Sequence, residues 1–251
     1  MWGIVPAAGK GSRIQPLAFS KELLPLGAGC EGESRRPRAV SDFLMERMAE
    51  AGVRRVCFVI SADKSDILEH YGGSAWSAFI CYAIQPKPAG LCDAIFQALP
   101  VIAPDEPVVV GLPDTIWFPE NGLALLPAEG FSLLLFPVDE PRLFDSVECD
   151  PDGRVQVIRV KQADAVSRWI WGAFRLQGST LHALKDLWLE RGRVDEYFGT
   201  LVNAWIERGG EVWGVRAGER YFDVGTMDGY LDAIRVLSGS NGLVERTGAA
   251  G

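Results

Sequence analysis

The stretch Trp2-Gly-Ile-Val-Pro6-Ala-Ala-Gly9-Lys10-Gly11-Ser12-Arg13, followed one loop later by Lys21-Glu-Leu-Leu-Pro25, decides how this chain is read. A short apolar strand runs into a glycine-rich loop. Gly9 and Gly11 lack a Cβ, so the loop can take positive φ and aim backbone N–H groups at anionic oxygens. Arg13 and Lys21 add full charges to those dipoles, a combination suited to a triphosphate. Two commoner phosphate loops that follow a strand do not fit. The dinucleotide fingerprint lacks its third glycine and meets Pro16 where its helix would run, and the P-loop's Gly-Lys-Ser/Thr is replaced by Gly11-Ser12-Arg13.

Composition bounds the rest. With 251 residues, 48% hydrophobic and 23% charged, the chain suits one large α/β domain with a full core and is short for two. A net charge of -8 argues against nucleic acid or an anionic membrane as partner, since both are bound through excess Lys and Arg. The first apolar stretch carries no basic flank and ends at Gly9, far short of the ~20 residues a membrane span needs, so a cytoplasmic location is expected. The five cysteines (Cys30, Cys57, Cys81, Cys92, Cys149) form no C-x-x-C pair, which favours reduced thiols over a disulfide framework or zinc site. His70 and His182 lie in separate helical patterns with no partner motif, so a histidine-based triad is not expected.

Apolar strands alternate with amphipathic stretches along the first half: strands at 2–6, 55–60, 79–84 and 108–112, helices at 40–51, 66–71 and 91–99. This βα winding predicts a mixed, mostly parallel sheet flanked by helices, with ligand loops at the carboxyl ends of its strands. Further strands are expected at 131–137, 155–160, 170–175, 212–215 and 221–223, and helices at 180–190, 196–208 and 228–237. No linker divides the halves. We expect a single domain over 1–237, with a nucleotide-binding half (1–115) and an acceptor half (116–237), and a frayed tail over 238–251.

Strand 108–112 delivers Asp114 to its carboxyl end, and a second carboxylate stands in Tyr221-Phe-Asp223-Val-Gly225-Thr226. Together they could seat Mg²⁺, which takes one or two carboxylates and fills its remaining positions with water and phosphate oxygens. Each aspartate read alone is equally a turn or cap residue.

The loop and Lys21-Glu-Leu-Leu-Pro25 together resemble the signature of the sugar-phosphate nucleotidyltransferases, the glucose-1-phosphate thymidylyl- and uridylyltransferases, in which G-x-G-[ST]-R is followed by a proline and K-x-L-L-P. The resemblance runs from Gly3 to about Ala233 and implies the Rossmann-like, GT-A-like fold of that family. It implies that Ala7, Ala8, Gly9, Gly11, Ser12 and Arg13 bind the nucleotide, and that Asp114 and Asp223 hold the metal. Gln85-Pro-Lys-Pro-Ala-Gly90-Leu looks like the family's Q-x-x-P-x-G-L, in which the glutamine reads a pyrimidine and the glycine lets the chain pass close to it. Lys161 matches the lysine that contacts the sugar phosphate, and Arg13, Lys21 and Lys161 would be catalytic. Nothing resembles the hexapeptide β-helix that extends some members.

The implied activity is Mg²⁺-dependent transfer of a nucleotidyl group from UTP or dTTP to a sugar 1-phosphate with release of pyrophosphate. The acceptor half departs from the pattern. Val160 and Gln162 flank Lys161 where the thymidylyltransferases have glutamate and proline, and Phe144-Asp145 stands in place of a Y-G pair; Gly172 completes the acceptor residues. Gly27 to Arg38 also reads as a longer loop than the family's, solvated or a phosphate clamp. Two other readings therefore stay open: a cytidylyltransferase acting on an acceptor such as phosphocholine, and a non-catalytic nucleotide-sugar sensor. Family members are often dimers or tetramers, so a homo-oligomer is an implied partner.

Overall fold

In chain order the strands and helices of the computed structural model, which describes residues 1–31 and 34–241, begin with β1 (Trp2–Pro6), β2 (Pro25–Glu31), β3 (Ser34–Ala39), α1 (Val40–Glu50), β4 (Arg55–Ile60), α2 (Ser65–Tyr71), β5 (Ser74–Ala75), β6 (Ala78–Ile84), α3 (Gly90–Gln97) and β7 (Pro107–Gly111). They continue with β8 (Thr115–Phe118), β9 (Ser132–Pro137), β10 (Asp145–Cys149), β11 (Val155–Val160), β12 (Trp169–Gln177), α4 (Gly178–Glu190), α5 (Phe198–Glu207), β13 (Trp213–Val215), β14 (Arg220–Asp223) and α6 (Met227–Asn241).

A single ten-stranded mixed sheet spans both halves of the chain. Strands β7, β1, β4 and β6 lie side by side and parallel, so the chain must cross over between them and each strand delivers its loop to the same edge. Strand β12 runs antiparallel to both β7 and β9 and stitches the second half onto the first. Apolar side chains alternate across the sheet. Ile4, Val108, Val110, Leu133 and Leu135 face α3, α4 and α5, and Phe174 there stacks on Phe198 at 4.4 Å. Val5, Val109, Leu134 and Phe136 face α1 and α2. Between α1 and β8, the buried Arg47 donates to the carbonyls of Phe43 (2.8 Å) and Trp117 (2.5 Å), and burial pushes its guanidinium down to about 10.

The expected strands and helices form within a few residues of their anticipated limits. The segment anticipated as a long loop, Gly27 to Arg38, instead contributes to the two-stranded sheet of β2 and β3, paired from Pro25↔Ala39 to Glu31↔Ser34. It holds no β-branched or aromatic residue, so it carried no strand signal. The last helix runs to Asn241, four residues into the expected tail, whose remainder lies outside the described residues. The cysteines Cys57, Cys81, Cys92 and Cys149 are free thiols. Among the described residues no helix is long and apolar enough to cross a membrane.

Candidate active site

Where β1 ends, the chain turns over the carboxyl edge of the sheet. Ala7 N donates to Val59 O (2.7 Å) and Ala7 O accepts from Lys64 Nζ (2.7 Å), which pins the glycine loop to the end of β4. Ala7 and Ala8 are buried, while Gly9, Ser12 and Arg13 face solvent. Gly11 takes φ +63°, and a Cβ there would lie 2.6 Å from Cδ of Lys21. Glycine therefore meets two demands at once, a left-handed backbone and the passage of the lysine stem beside it. Lys21 opens a short 3₁₀ turn whose next residue, Glu22, is buried against Lys64 at 2.7 Å. The Glu22–Lys64 pair escaped sequence reasoning because each partner reads as a surface charge until the turn and the start of α2 are brought together.

The two aspartates meet through strand pairing. Strand β14 lies antiparallel to β8 with Asp223 opposite Thr115, and Val224 N donates to Asp114 O at 2.9 Å. A Cβ on Gly225 would stand 2.9 Å from both Asp114 Oδ2 and Asp223 Oδ1, so the carboxylates converge on one point. Each has a cation: Lys21 Nζ hydrogen bonds Asp114, and Arg13 Nη1 lies 2.9 Å from Asp223 Oδ2. Burial alone would raise the Asp114 carboxyl, but the Lys21 ammonium outweighs it and holds the group below the usual carboxylate range. The same pairing raises Lys21 against burial. Asp223 is pushed up by burial and by the neighbouring Asp114 charge, in spite of Arg13.

This donor set fits a hard divalent cation. Two carboxylates converge, and no group of three or more His, Cys, Asp or Glu able to hold a metal occurs among the described residues, so an ion here would complete its shell with water and phosphate oxygens, as magnesium does.

Next to this cluster opens a cavity of about 170 Å³ that reaches from Arg13, Asp114 and Asp223 to Asp145 and Lys161. Its walls are largely apolar, with Leu91, Leu112, Phe144, Trp171, Tyr197 and Tyr221 among them. Lys161 takes φ +48°, a strained conformation for a residue with a side chain, with its N donating to Phe144 O (3.1 Å). Its ammonium stands over the Tyr197 ring, 4.6 Å from the centroid. Asp145 accepts from Trp171 Nε1 at 3.3 Å, and burial raises its carboxyl. Trp171, Tyr197 and Tyr221 were not assigned to the site from sequence. They come from β12, the start of α5 and β14, and no local pattern links them.

Other anticipated site residues have narrower roles. Gln85 is buried just past β6, with Nε2 donating to Asp93 Oδ2 (2.7 Å) and Gly90 O (3.2 Å); a carboxylate can only accept, which fixes the amide's orientation and leaves Oε1 as its acceptor. Gly90 takes φ +85°, and a Cβ there would lie 2.6 Å from the Glu196 backbone, so the packing of the chain on itself already requires glycine at this position. Gly172 and Val160 do not line the cavity. Gly172 sits at the register shift where β12 passes β9, and its bare backbone admits the Tyr221 ring, which a Cβ would meet at 2.6 Å. Val160 packs on Gly199 of α5. Ser12 and Lys10 border a larger open groove of about 690 Å³ with Ser61, Asp63 and Asp66. His70 lies 3.3 Å from Asp42 and the His182 ring 3.0 Å from Ile102 O, both away from this cavity.

Residues 2–239 match the nucleotidyl transferase family. The chain belongs to that family. It is 27% identical to the glucose-1-phosphate thymidylyltransferase of Mycolicibacterium smegmatis, across 97% of this chain and 85% of the relative. Among solved structures it superimposes on a putative glucose-1-phosphate thymidylyltransferase from Bacillus anthracis with a TM-score of 0.78 at 21% identity, covering 94% of this chain and 95% of that one. It also superimposes on a UTP-bound UGPase from Acinetobacter baumannii with a TM-score of 0.75 at 18% identity, covering 98% and 99%. At those identities the superpositions speak for the nucleotidyltransferase fold.

Proposed function

We propose that this nucleotidyltransferase transfers a uridylyl or thymidylyl group from UTP or dTTP to a sugar 1-phosphate with release of pyrophosphate. One arrangement supports the reading: Arg13, Asp114 and Asp223 under the glycine loop line the same cavity as Lys161, with Lys21 hydrogen bonded to Asp114 beside it, giving two cationic places for phosphate in one site.

The reaction is a single in-line displacement. An oxygen of the acceptor phosphate forms a bond to the α-phosphorus as the bond from that phosphorus to the β-bridging oxygen breaks, and pyrophosphate leaves with the electron pair. A phosphate monoester is already ionised, so no general base is needed. Catalysis comes from holding two anions together and from neutralising the charge on the transferring group. Arg13 and the backbone of the Gly9–Gly11 loop bind the outer phosphates, Lys21 holds the region where the substrates meet, and Lys161 receives the acceptor phosphate. Asp114 and Asp223 would hold Mg²⁺, which when bound supplies further neutralisation of the phosphate oxygens. With the Gln85 amide nitrogen held by Asp93, the Oε1 acceptor left to a base supports uracil or thymine, whose imide N–H it matches, over the bare ring nitrogen of cytosine.

Pyrophosphate release with Mg²⁺, crossing UTP, dTTP, CTP, GTP and ATP against sugar 1-phosphates and phosphocholine, tests this. Release that needs UTP or dTTP together with a sugar 1-phosphate is expected. A preference for CTP with phosphocholine would move the assignment to cytidylyl transfer, and nucleotide binding without release would make the protein a sensor.

A further inference from the structure

The start of α2 holds both chain segments that bring positive groups to the nucleotide end. Lys64, just before α2, and Glu22 are 7% and 1% exposed, so neither charge is left to solvent. The Lys64 ammonium has three N–H donors, and they meet three acceptors within the protein: Glu22 Oε1 at 2.8 Å, Glu22 Oε2 at 2.7 Å and Ala7 O at 2.7 Å. Lys64 therefore has no donor left for a substrate and acts on the site through what it holds. Ala7 is the root of the glycine loop, and Glu22 follows Lys21 in the 3₁₀ turn. The other neighbour of Lys21 is held from the same place: Ser20 N and Ser20 Oγ donate to the two oxygens of Asp66, at 2.6 and 2.7 Å. Ser41 Oγ of α1 adds a third tie, donating to Glu22 O at 2.6 Å. Between these anchored neighbours, Lys21 passes its stem beside Gly11 and sets its ammonium on Asp114.

We propose that Lys64 is a positioning residue of the transfer reaction, a buried strut that fixes the separation of the glycine loop and the Lys21 turn so that the loop and the Lys21 ammonium meet one triphosphate together. This rests on the transferase reading above. A lysine is a long, flexible side chain, and charge stabilisation by it depends on where its backbone is held; a misplacement of about 1 Å, even one caused far from the chemistry, costs on the order of 10²-fold in rate. Stability alone does not call for this pair, because apolar residues of similar volume commonly replace a buried ion pair without loss. What an apolar pair could not supply is the donor to Ala7 O and the tie from it to Glu22. Asp66 is the one-sided counterpart, since it holds the Lys21 turn through Ser20.

Three variants test it by pyrophosphate release with Mg²⁺, the triphosphate and acceptor being those that wild type turns over, and each variant is checked by its melting curve. Lys64→Met removes the ammonium at nearly constant length; it is expected to lower kcat by roughly 10- to 100-fold and to raise the KM for the triphosphate, while the KM for the acceptor stays as in wild type. Asp66→Ala is expected to lower kcat with the triphosphate KM unchanged, because the loop remains on Lys64. Glu22→Leu/Lys64→Met also removes the carboxylate that Lys64→Met leaves buried and unpaired, so it is expected to melt above Lys64→Met and yet keep the low kcat. Recovery of kcat together with the melting temperature, or wild-type kcat in Lys64→Met, would make the pair a stability element alone and overturns the inference. If Lys64→Met does not fold, the double variant set against Asp66→Ala carries the same test. If wild type releases pyrophosphate with no acceptor, the transferase reading fails and calorimetric binding of UTP decides the inference by itself. Binding weakened by roughly 10-fold or more in the double variant and unchanged in Asp66→Ala supports it, and equal binding in both overturns it.

Discussion

Under the glycine loop, Lys21 and Arg13 each already hold a carboxylate, Asp114 and Asp223, whereas at the far end of the same cavity Lys161 rests on a tyrosine ring and Asp145 has only an indole donor. The end under the glycine loop thus holds two ion pairs. The far end carries no such ion pair at Lys161 or Asp145 among the described residues. Among these carboxyls only Asp114 is held below the usual range, by its lysine, while burial raises both Asp223 beside it and Asp145 at the far end. A site built this way can keep one half constant and change the other, because the acceptor's charges are not tied into the paired cluster.

The largest expected effects lie at the paired end. Lys21→Ala or Asp114→Asn should lower kcat by at least ~10²-fold in a pyrophosphate-release assay, as loss of one charge-stabilising group does. Near-normal turnover by either variant would break the assignment of this end to the chemistry. Lys161→Ala should act differently, lowering kcat/KM for the acceptor by roughly 10- to 100-fold, the range for a lost charge-assisted contact, while leaving nucleotide affinity intact. A matching loss of nucleotide affinity would erase the distinction between the ends.

Stability should move in opposite directions at the two carboxylates. Asp114 has a depressed folded-state value, so its ionisation stabilises the fold above the ordinary carboxylate range, and this is lost as pH falls through the depressed value. Asp114→Asn should therefore melt below wild type at pH 7, with the gap closing on acidification. Asp145 has a raised value, so its ionisation costs stability above that value and costs nothing below the ordinary range. Asp145→Asn should melt above wild type at pH 7, and this gap too should close in acid; melting curves across pH with shifts of the same sign would refute the contrast. The smallest effect concerns backbone. Because Lys161 sits at φ +48°, Lys161→Gly should be more stable than Lys161→Ala by about 1 kcal/mol in denaturant unfolding, although both lose the ammonium.

The nucleotide end was the more legible in sequence. Gly9, Gly11, Arg13 and Lys21 lie within one short run after an apolar strand, and Asp114 lies just past another, so each could be placed at a strand's carboxyl end from local pattern alone. The acceptor end draws Phe144, Lys161, Trp171, Tyr197 and Tyr221 from five separate places in the chain, and aromatic residues in apolar runs look the same whether they wall a cavity or fill a core. Gly90 shows the same limit. Its need for glycine was visible, but the Glu196 backbone that imposes it is brought there only by the packing of α5 beside α3.

By itself, then, the sequence determined the βα winding, the glycine loop and which residues stand at strand ends, because apolar periodicity and turn chemistry act over a few residues at a time. Only the tertiary structure decided that Asp114 and Asp223 share one point, since the antiparallel register of β8 against β14 sets that distance. It likewise decided that Asp145 and Lys161 line one cavity among aromatic rings, because β10 and β11 pair Asp145 with Val160, which places the following lysine at the same end of the sheet. Charge and ring chemistry are written residue by residue, but their strength depends on separation and burial, and both are properties of the fold.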